Sequence, residues 1–217
     1  MLHKLSLAAI TLLSIITNVA TAQDDQMHQV DSILGAWYGE QTPSVSAMIV
    51  HDGEVKVNKS YGFANLEEHV RAGSRTNYDL ATLTEQFTVM GILMLMEEEK
   101  INMDTPITSI WDDLPSYCKG VKVTHLINHT SGLPVLQAGQ FYSAITSMEQ
   151  LTDWMKEQDG LNFEPGKRAG WNALNYALLA NFIEQASGES YRKFVEKRIF
   201  DHLGMTESRV YKKGWFT

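Results

Sequence analysis

The chain has 217 residues, and Asp and Glu outnumber Lys and Arg to give a formal net charge of −8 at pH 7. This acidic balance argues against nucleic acid and against anionic lipid as partners. Cys118 is the only cysteine, so an internal disulfide is excluded and packing alone must hold the core.

Residues 1–22 have the pattern of a signal peptide. Lys4 precedes an apolar run over 5–19, and the small residues Ala20, Thr21 and Ala22 then offer a cleavage site. The apolar run is short for a membrane span, and no later stretch is long enough for one. We expect an exported protein, periplasmic or secreted, with one domain over 23–217 and no stable membrane insertion. An uncleaved N-terminal anchor is the alternative.

The first part of the predicted domain is a helix followed by a β-hairpin. Apolar residues at helical spacing predict a helix over 27–38. The run 45–50 predicts a buried strand, and Asp52-Gly53 is typical of a two-residue hairpin turn. A returning strand with alternating apolar residues reaches Phe63, and a polar connection follows over 65–79.

The second part is a series of helices. Residues 87–96 are apolar on nearly all sides, which predicts a buried helix. Short helical patterns follow at 123–127, after a capping box at Thr146 and Glu149, over 174–183 and over 191–200. This order predicts an α+β fold with helices packed on a small antiparallel sheet. Because two strands make a poor sheet, we expect further strands to be needed to complete it.

Three segments carry a family resemblance. They read YDLATLTEQFT at 78–88, LINHTSGLP at 126–134 and PGKRAGWNALNYALL at 165–179. In this order they resemble the serine β-lactamase-related family, which includes class C β-lactamases, D-Ala-D-Ala carboxypeptidases and penicillin-binding esterases. The resemblance covers nearly all of 28–210, and it implies a β-lactamase/transpeptidase-like fold.

The resemblance also implies four catalytic positions. In the family, a Ser at the start of the buried helix attacks a carbonyl, and a Lys one turn later helps to take its proton. A Tyr assists proton transfer and a nearby Asn binds substrate. Matching the motifs places Thr82, Glu85, Trp171 and Ala173 at these positions, so all four are substituted.

The substitutions weaken the implied chemistry. Thr82 keeps a hydroxyl, but its β-branch crowds the path of attack. The Glu85 carboxylate is a weaker base than a neutral amine, and its charge would repel the carboxylate of penicillin or of a D-Ala peptide. Trp171 lacks a titrating phenol, and Ala173 has no polar side chain. A structural interpretation is that Thr82 and Glu85 form a capping box at the start of the helix.

Three functions remain open from the sequence. The first is a pseudoenzyme that keeps the family fold and binds a peptide or cell-wall fragment. The second is an active hydrolase that uses Thr82 on an ester, β-lactam or D-Ala peptide bond. The third is a truncated remnant without function, because nothing after Gly204 matches the family's third motif or the C-terminal strands of its sheet.

Metal and cofactor chemistry has little support in the sequence. His125 and His129 are four residues apart and would share a helix face, but no acidic or cysteine partner stands at the usual spacing. Ser131 in the same loop lacks the nucleophile elbow of other hydrolases. We therefore predict no metal and no cofactor, and the sequence leaves the oligomeric state open.

Overall fold

The computed structural model describes residues 28–39, 41–136 and 147–211. The chain divides into two compact units, Met1–Tyr78 and Asp79–Thr217, and each is described by itself. The predicted signal peptide and Thr146 lie outside the described residues. Within the described residues, no helix combines the length and the apolarity that a membrane crossing requires.

The first unit contains the predicted hairpin. Strands β1 (Val45–His51) and β2 (Glu54–Tyr61) pair antiparallel, from Val45 opposite Tyr61 to His51 opposite Glu54. Asp52 and Gly53 both have positive φ, at 50° and 76°, which is the geometry of the predicted two-residue turn. A register shift after Ile49 marks a β-bulge. The predicted hairpin is confirmed, but the prediction that its first strand is buried is wrong, because no residue of β1 is buried.

Helix α1, at residues 28–35, is tied to β2 by a polar cluster. The Asp31 carboxylate accepts hydrogen bonds from Lys59 Nζ at 2.6 and 2.8 Å and from the Tyr61 hydroxyl at 2.8 Å. The apolar residues of the hairpin are less protected: Met48, Val50 and Val55 are more than half exposed.

A second hairpin lies where the sequence predicted only a polar connection. Strands β3 (Phe63–Asn65) and β4 (Val70–Arg71) pair antiparallel. The Asn65 side chain accepts from the backbone N–H groups of Glu67 and Glu68 at 3.0 Å, which closes the turn. The sequence did not reveal this hairpin inside the predicted polar connection, because its strands are only two or three residues long and lack an apolar alternation.

The second unit is helical. Its helices are α2 (Glu85–Glu97), α3 (Val123–Ile127), α4 (Met148–Lys156), α5 (Ala173–Ser187) and α6 (Tyr191–Val195). α6 continues into a π-helical segment, Glu196–Phe200. The helices and the two small antiparallel sheets confirm the predicted α+β class.

The core of the second unit forms between α2 and α5. Ile92 and Leu95 on α2, and Phe182 and Ile183 on α5, are fully buried. At Gly91 the helices approach so closely that an added Cβ would lie 2.8 Å from Ile183 Cδ1. A side chain at position 91 would therefore require the end of the Ile183 side chain to shift.

Two details of the helix predictions were wrong. α2 is not buried on all sides, because Met90 and Leu93 are 47% and 39% exposed. For α4, the N-cap is Ser147, whose side chain accepts from the N–H of Gln150 at 3.3 Å. Thr146 and Ser147 are adjacent and both can cap a helix. The backbone geometry decides between them, and the sequence pattern does not show it.

Candidate functional site

The chain enters α2 through a strained turn. Thr82 lies in a 3-10 helix, Ala81–Thr84, directly before Glu85 opens α2. Ala81 has a φ of 45°, which is uncommon for a residue with a side chain, and its N–H donates to Asp79 Oδ1 at 2.9 Å. The Thr82 side chain is exposed, and within the described residues it makes no hydrogen bond.

The predicted capping box is wrong. The N-cap of α2 is Thr84, not Thr82, and its side chain makes no capping hydrogen bond. The 3-10 turn moves the start of α2 three residues past Thr82, and the N–H of Glu85 donates to the Thr82 carbonyl. The Glu85 carboxylate does not reach back to the backbone of Thr82, because it is bound by other side chains.

Two side chains hold the Glu85 carboxylate. Trp171 Nε1–H donates to Oε1 at 3.2 Å, and His129 Nε2 lies 3.3 Å from Oε2. The side chains of Glu85 and His129 are 24% and 18% exposed, whereas Trp171 is 57% exposed. Among the described residues, no Lys or Arg forms an ion pair with Glu85.

The hydrogen bonds at Nδ1 determine which ring nitrogen of His129 carries the proton. The backbone N–H of Asn172 donates to His129 Nδ1 at 3.2 Å, and Asn175 Nδ2 lies 3.3 Å from the same atom. Because a backbone N–H can only donate, Nδ1 must accept, and the ring proton belongs on Nε2. His129 therefore donates to Glu85.

The hydrogen-bond chain continues into the core behind His129. The Ser131 hydroxyl donates to Asn175 Oδ1 at 2.7 Å and accepts from the N–H of Leu133 at 3.2 Å. Ser131 is 1% exposed and Asn175 is fully buried. Ser131 is thus a buried structural donor, and every step of the chain points its hydrogen toward the Glu85 carboxylate.

The loop that carries His129 is locked by backbone contacts. His129 has a φ of 53° just beyond the end of α3, and its carbonyl accepts from the N–H of Gly170 at 2.9 Å. Gly132 packs against the Phe163 carbonyl so closely that an added Cβ would lie 1.9 Å from its oxygen. Only glycine permits this packing.

Asn172 joins this loop to α5. Its Oδ1 accepts from the N–H of Leu174 at 3.0 Å, which caps the helix, and its Nδ2 donates to the carbonyls of Leu133 and Pro134, both at 3.0 Å. Asn172 stands between Trp171 and Ala173, so this cap also fixes the backbone positions of those two residues.

Tyr176 packs against the ring of His129. Its ring centroid lies 5.1 Å from that of His129, and its hydroxyl donates to the Ile127 carbonyl at 3.1 Å. Burial raises the pKa of the Tyr176 phenol, and the negative charge of Glu85 raises it further. Tyr176 therefore stays protonated and does not supply the phenolate-like base that position 171 lacks.

Of the four predicted positions, the structure joins two by a direct hydrogen bond, Glu85 and Trp171. Thr82 is placed on the preceding turn, and Ala173 is the half-buried first residue of α5. The sequence reasoning missed His129, Asn175 and Tyr176 as members of the site. The available signal for His129 was the family-like loop at 126–134.

The two histidines do not form a metal pair. His125 Nδ1 accepts from the backbone N–H of Lys122 at 3.1 Å, at the start of α3, whereas His129 lies beyond its end. In the part of the chain that the structure describes, no three His, Cys, Asp or Glu side chains are arranged to hold a metal.

Comparison with known proteins supports the resemblance seen in the three motifs. The Beta-lactamase family model matches residues 21–213. The chain belongs to the beta-lactamase family. Among curated family members it is 33% identical over 176 residues to penicillin-binding protein 4* of Bacillus subtilis (strain 168), covering 77% of this chain and 38% of that protein. It is 30% identical to the putative penicillin-binding protein PbpX of the same organism, covering 78% and 42%.

Solved structures confirm the predicted beta-lactamase-like fold. FmtA from Staphylococcus aureus superposes with a TM-score of 0.73 at 23% identity, covering 86% of this chain and 51% of that one. A penicillin-binding protein from Bacillus halodurans gives 0.69 at 25% identity, covering 85% and 55%. The chain thus spans well under two thirds of the length of these relatives.

Proposed function

We propose that this beta-lactamase-family protein is a pseudoenzyme, which binds its ligand without forming an acyl-enzyme. The observation that carries the proposal is the Glu85 carboxylate, whose two oxygens accept hydrogen bonds from Trp171 and His129. In an acylating site this position must instead take a proton from the nucleophile.

The hydrogen-bond network favours an acceptor at position 85. The N–H groups of Trp171 and His129 both point at the carboxylate, and the backbone of Asn172 prevents the His129 ring from presenting an acceptor there. A lysine has three donors and no acceptor, so it would meet two donors at this position. Glu85 therefore supplies the hydrogen-bond acceptor that the two donors, Trp171 and His129, require.

In the described part of the site, neither Tyr176 nor Trp171 is placed to take over the proton. The Tyr176 hydroxyl donates to a backbone carbonyl, and the Trp171 indole has no basic lone pair. A positioned general base contributes about 10²–10⁴-fold to such reactions. Its loss, together with the crowded Thr82 hydroxyl, supports binding without turnover.

The ligand that we propose is a peptide or cell-wall fragment met outside the cytoplasm, in the periplasm or the surrounding medium. The names of the curated relatives describe them as penicillin-binding proteins. The signal-peptide pattern at 1–22 supports export.

Intact-mass measurement tests the absence of acylation. The purified chain is incubated with a fluorescent penicillin and, separately, with a fluorophosphonate probe, and Thr82→Val serves as the control for attachment at that hydroxyl. We expect no adduct with either probe. An adduct on the wild-type chain that Thr82→Val abolishes would establish an active hydrolase instead. A chain without a cooperative urea transition would support the remnant interpretation.

A further inference from the structure

We propose that this site recognises a primary ammonium group, held between the Glu85 carboxylate and the exposed face of the Trp171 indole. The ligand class is therefore a peptide that carries a free amine. The proposal rests on the proposed function, because it treats the site as a binding site rather than an acylating one. It names the chemistry of the ligand, which the family assignment leaves open.

The first argument is the charge at the site. Burial and then the negative charge of Glu85 raise the pKa of the nearby Tyr176 phenol, and among the described residues no Lys or Arg forms an ion pair with Glu85. The Trp171 partner is neutral, and His129 needs no positive charge to donate its Nε2 proton. The start of α2 contributes a partial positive charge of about half a unit, which leaves the position net negative.

The second argument is the unused bonding capacity of the carboxylate. A carboxylate has about four acceptor positions, and Trp171 and His129 occupy one on each oxygen. The Glu85 side chain is 24% exposed, so part of it is open to solvent. A primary ammonium has three donors, so it can bind here without displacing either existing partner.

The third argument is the aromatic surface beside the carboxylate. Trp171 is 57% exposed, and its ring centroid lies 6.2 Å from that of His129 at an interplanar angle of 41°. The indole face attracts cations more strongly than the rings of Phe or Tyr. The hydrogen bond from Nε1 to Glu85 holds the edge of this ring beside the negative charge, so a cation bound to the carboxylate would lie close to the indole.

The same features select against a ligand that presents a carboxylate. A carboxylate placed beside Glu85 meets a like charge, and the network offers it no free N–H donor because both are bound to Glu85. The site therefore discriminates by the sign of the ligand's charge.

Four probes on one lysine amide scaffold test this inference by titration calorimetry. Nα-acetyl-lysine amide carries only the side-chain amine, and Nε-acetyl-lysine amide carries only the α-amine. The doubly acetylated amide carries neither, and Nα-acetyl-glutamate supplies carboxylates instead. We expect one or both single-amine probes to bind at least about tenfold more tightly than the doubly acetylated and acidic probes. Which amine binds better identifies its source in the peptide.

Variants assign the binding to the site. Glu85→Gln keeps the shape but removes the charge, and it should weaken amine binding at least about tenfold. Glu97→Gln removes the same charge from the exposed far end of α2 and should leave binding unchanged. Circular dichroism confirms that both variants remain folded.

Three outcomes would overturn the inference: no binding of either amine, equal binding of the doubly acetylated probe, or equal binding by Glu85→Gln. The proposed function fails separately. An adduct that depends on Thr82, together with amine binding that depends on Glu85, would reject only the pseudoenzyme. No adduct and no amine binding would reject only the ammonium ligand.

Discussion

The loop that positions His129 makes a sharp stability prediction at Gly132. We compare Gly132→Ala with Gly188→Ala, because both glycines have nearly the same left-handed backbone, with φ values of 70° and 71°. Their surroundings differ. An added Cβ at 132 would lie 1.9 Å from the Phe163 oxygen, whereas one at 188, at the end of α5, would meet nothing within 4 Å.

The magnitudes follow from this difference. Placing a Cβ on a left-handed residue costs about 1–2 kcal/mol at either position. At 132 the Phe163 carbonyl must also move, which strains the 2.7 Å hydrogen bond from the N–H of Asn162 to the Gly132 carbonyl. Overpacking of this kind costs about 1–3 kcal/mol more. We expect a loss of about 2–5 kcal/mol for Gly132→Ala and about 1–2 kcal/mol for Gly188→Ala.

Urea unfolding followed by circular dichroism measures both losses, and the midpoint shift at constant slope reports the change in stability. The clash argument would be refuted if the two variants lost the same amount. The chain has five tryptophans, so the emission of Trp171 is taken as the part that Trp171→Phe removes. If Gly132→Ala changed this part while Gly188→Ala did not, the perturbation would be assigned to the loop beside Trp171.

Three further predictions concern single groups. Glu85→Lys should lower the free energy of unfolding by about 1–3 kcal/mol in urea, because two donors lose their acceptor; an unchanged midpoint would argue against the network. Burial raises the pKa of the Cys118 thiol to about 12, so it should resist a thiol reagent in the native protein at pH 8 and react after unfolding, whereas rapid native labelling would contradict its burial. Hydrogen bonds from Lys59 and then Tyr61 lower the pKa of the Asp31 carboxyl, while burial and then Asp31 raise that of Tyr61 to about 12. In urea unfolding, the stability advantage of wild type over Asp31→Asn should therefore be full at neutral pH. The advantage should decrease as the pH falls below about 4, and again as the pH rises from about 10 to 12. A pH-independent difference would refute this.

The sequence predicted the larger elements because their signals are local. The Asp52-Gly53 turn requires two residues with positive φ, and the apolar run of α2 is too long for a strand. The short strands β3 and β4 carry no such periodicity. The 3-10 turn before Glu85 was equally hidden, because Thr82 and Glu85 have the residue types and spacing of a capping box even though the helix does not start after Thr82.

The site was predicted only in part, for a physical reason. Motif matching identifies positions one at a time, and it located Glu85 and Trp171, which prove to be bonded to each other. It did not reveal His129 as their partner, because that contact depends on the left-handed backbone at 129 and on the N–H of Asn172. Both are features of the folded chain.

The hydrogen bond between Glu85 and Trp171 raises the question of whether these two positions are energetically coupled. Two positions that had each lost an unneeded catalytic group would carry unrelated side chains, and no energetic coupling would be expected. A carboxylate facing an indole N–H is instead a matched acceptor and donor, with His129 supplying the second donor. On the proposed assignment of these positions, Glu85 and Trp171 form a matched pair that stabilises the site.

A double-mutant cycle distinguishes these two histories. Glu85→Ala removes the acceptor, and Trp171→Phe keeps a ring while removing the donor. Because Trp171 is 57% exposed, we expect a coupling free energy of about 1 kcal/mol from urea unfolding, toward the low end for residues in contact. The cycle of Glu97→Ala with Trp171→Phe should be additive, since Glu97 lies at the opposite end of α2. Additivity in both cycles would mean that the hydrogen bond contributes nothing measurable, and Glu85 and Trp171 would then be independent of each other rather than parts of one coupled site.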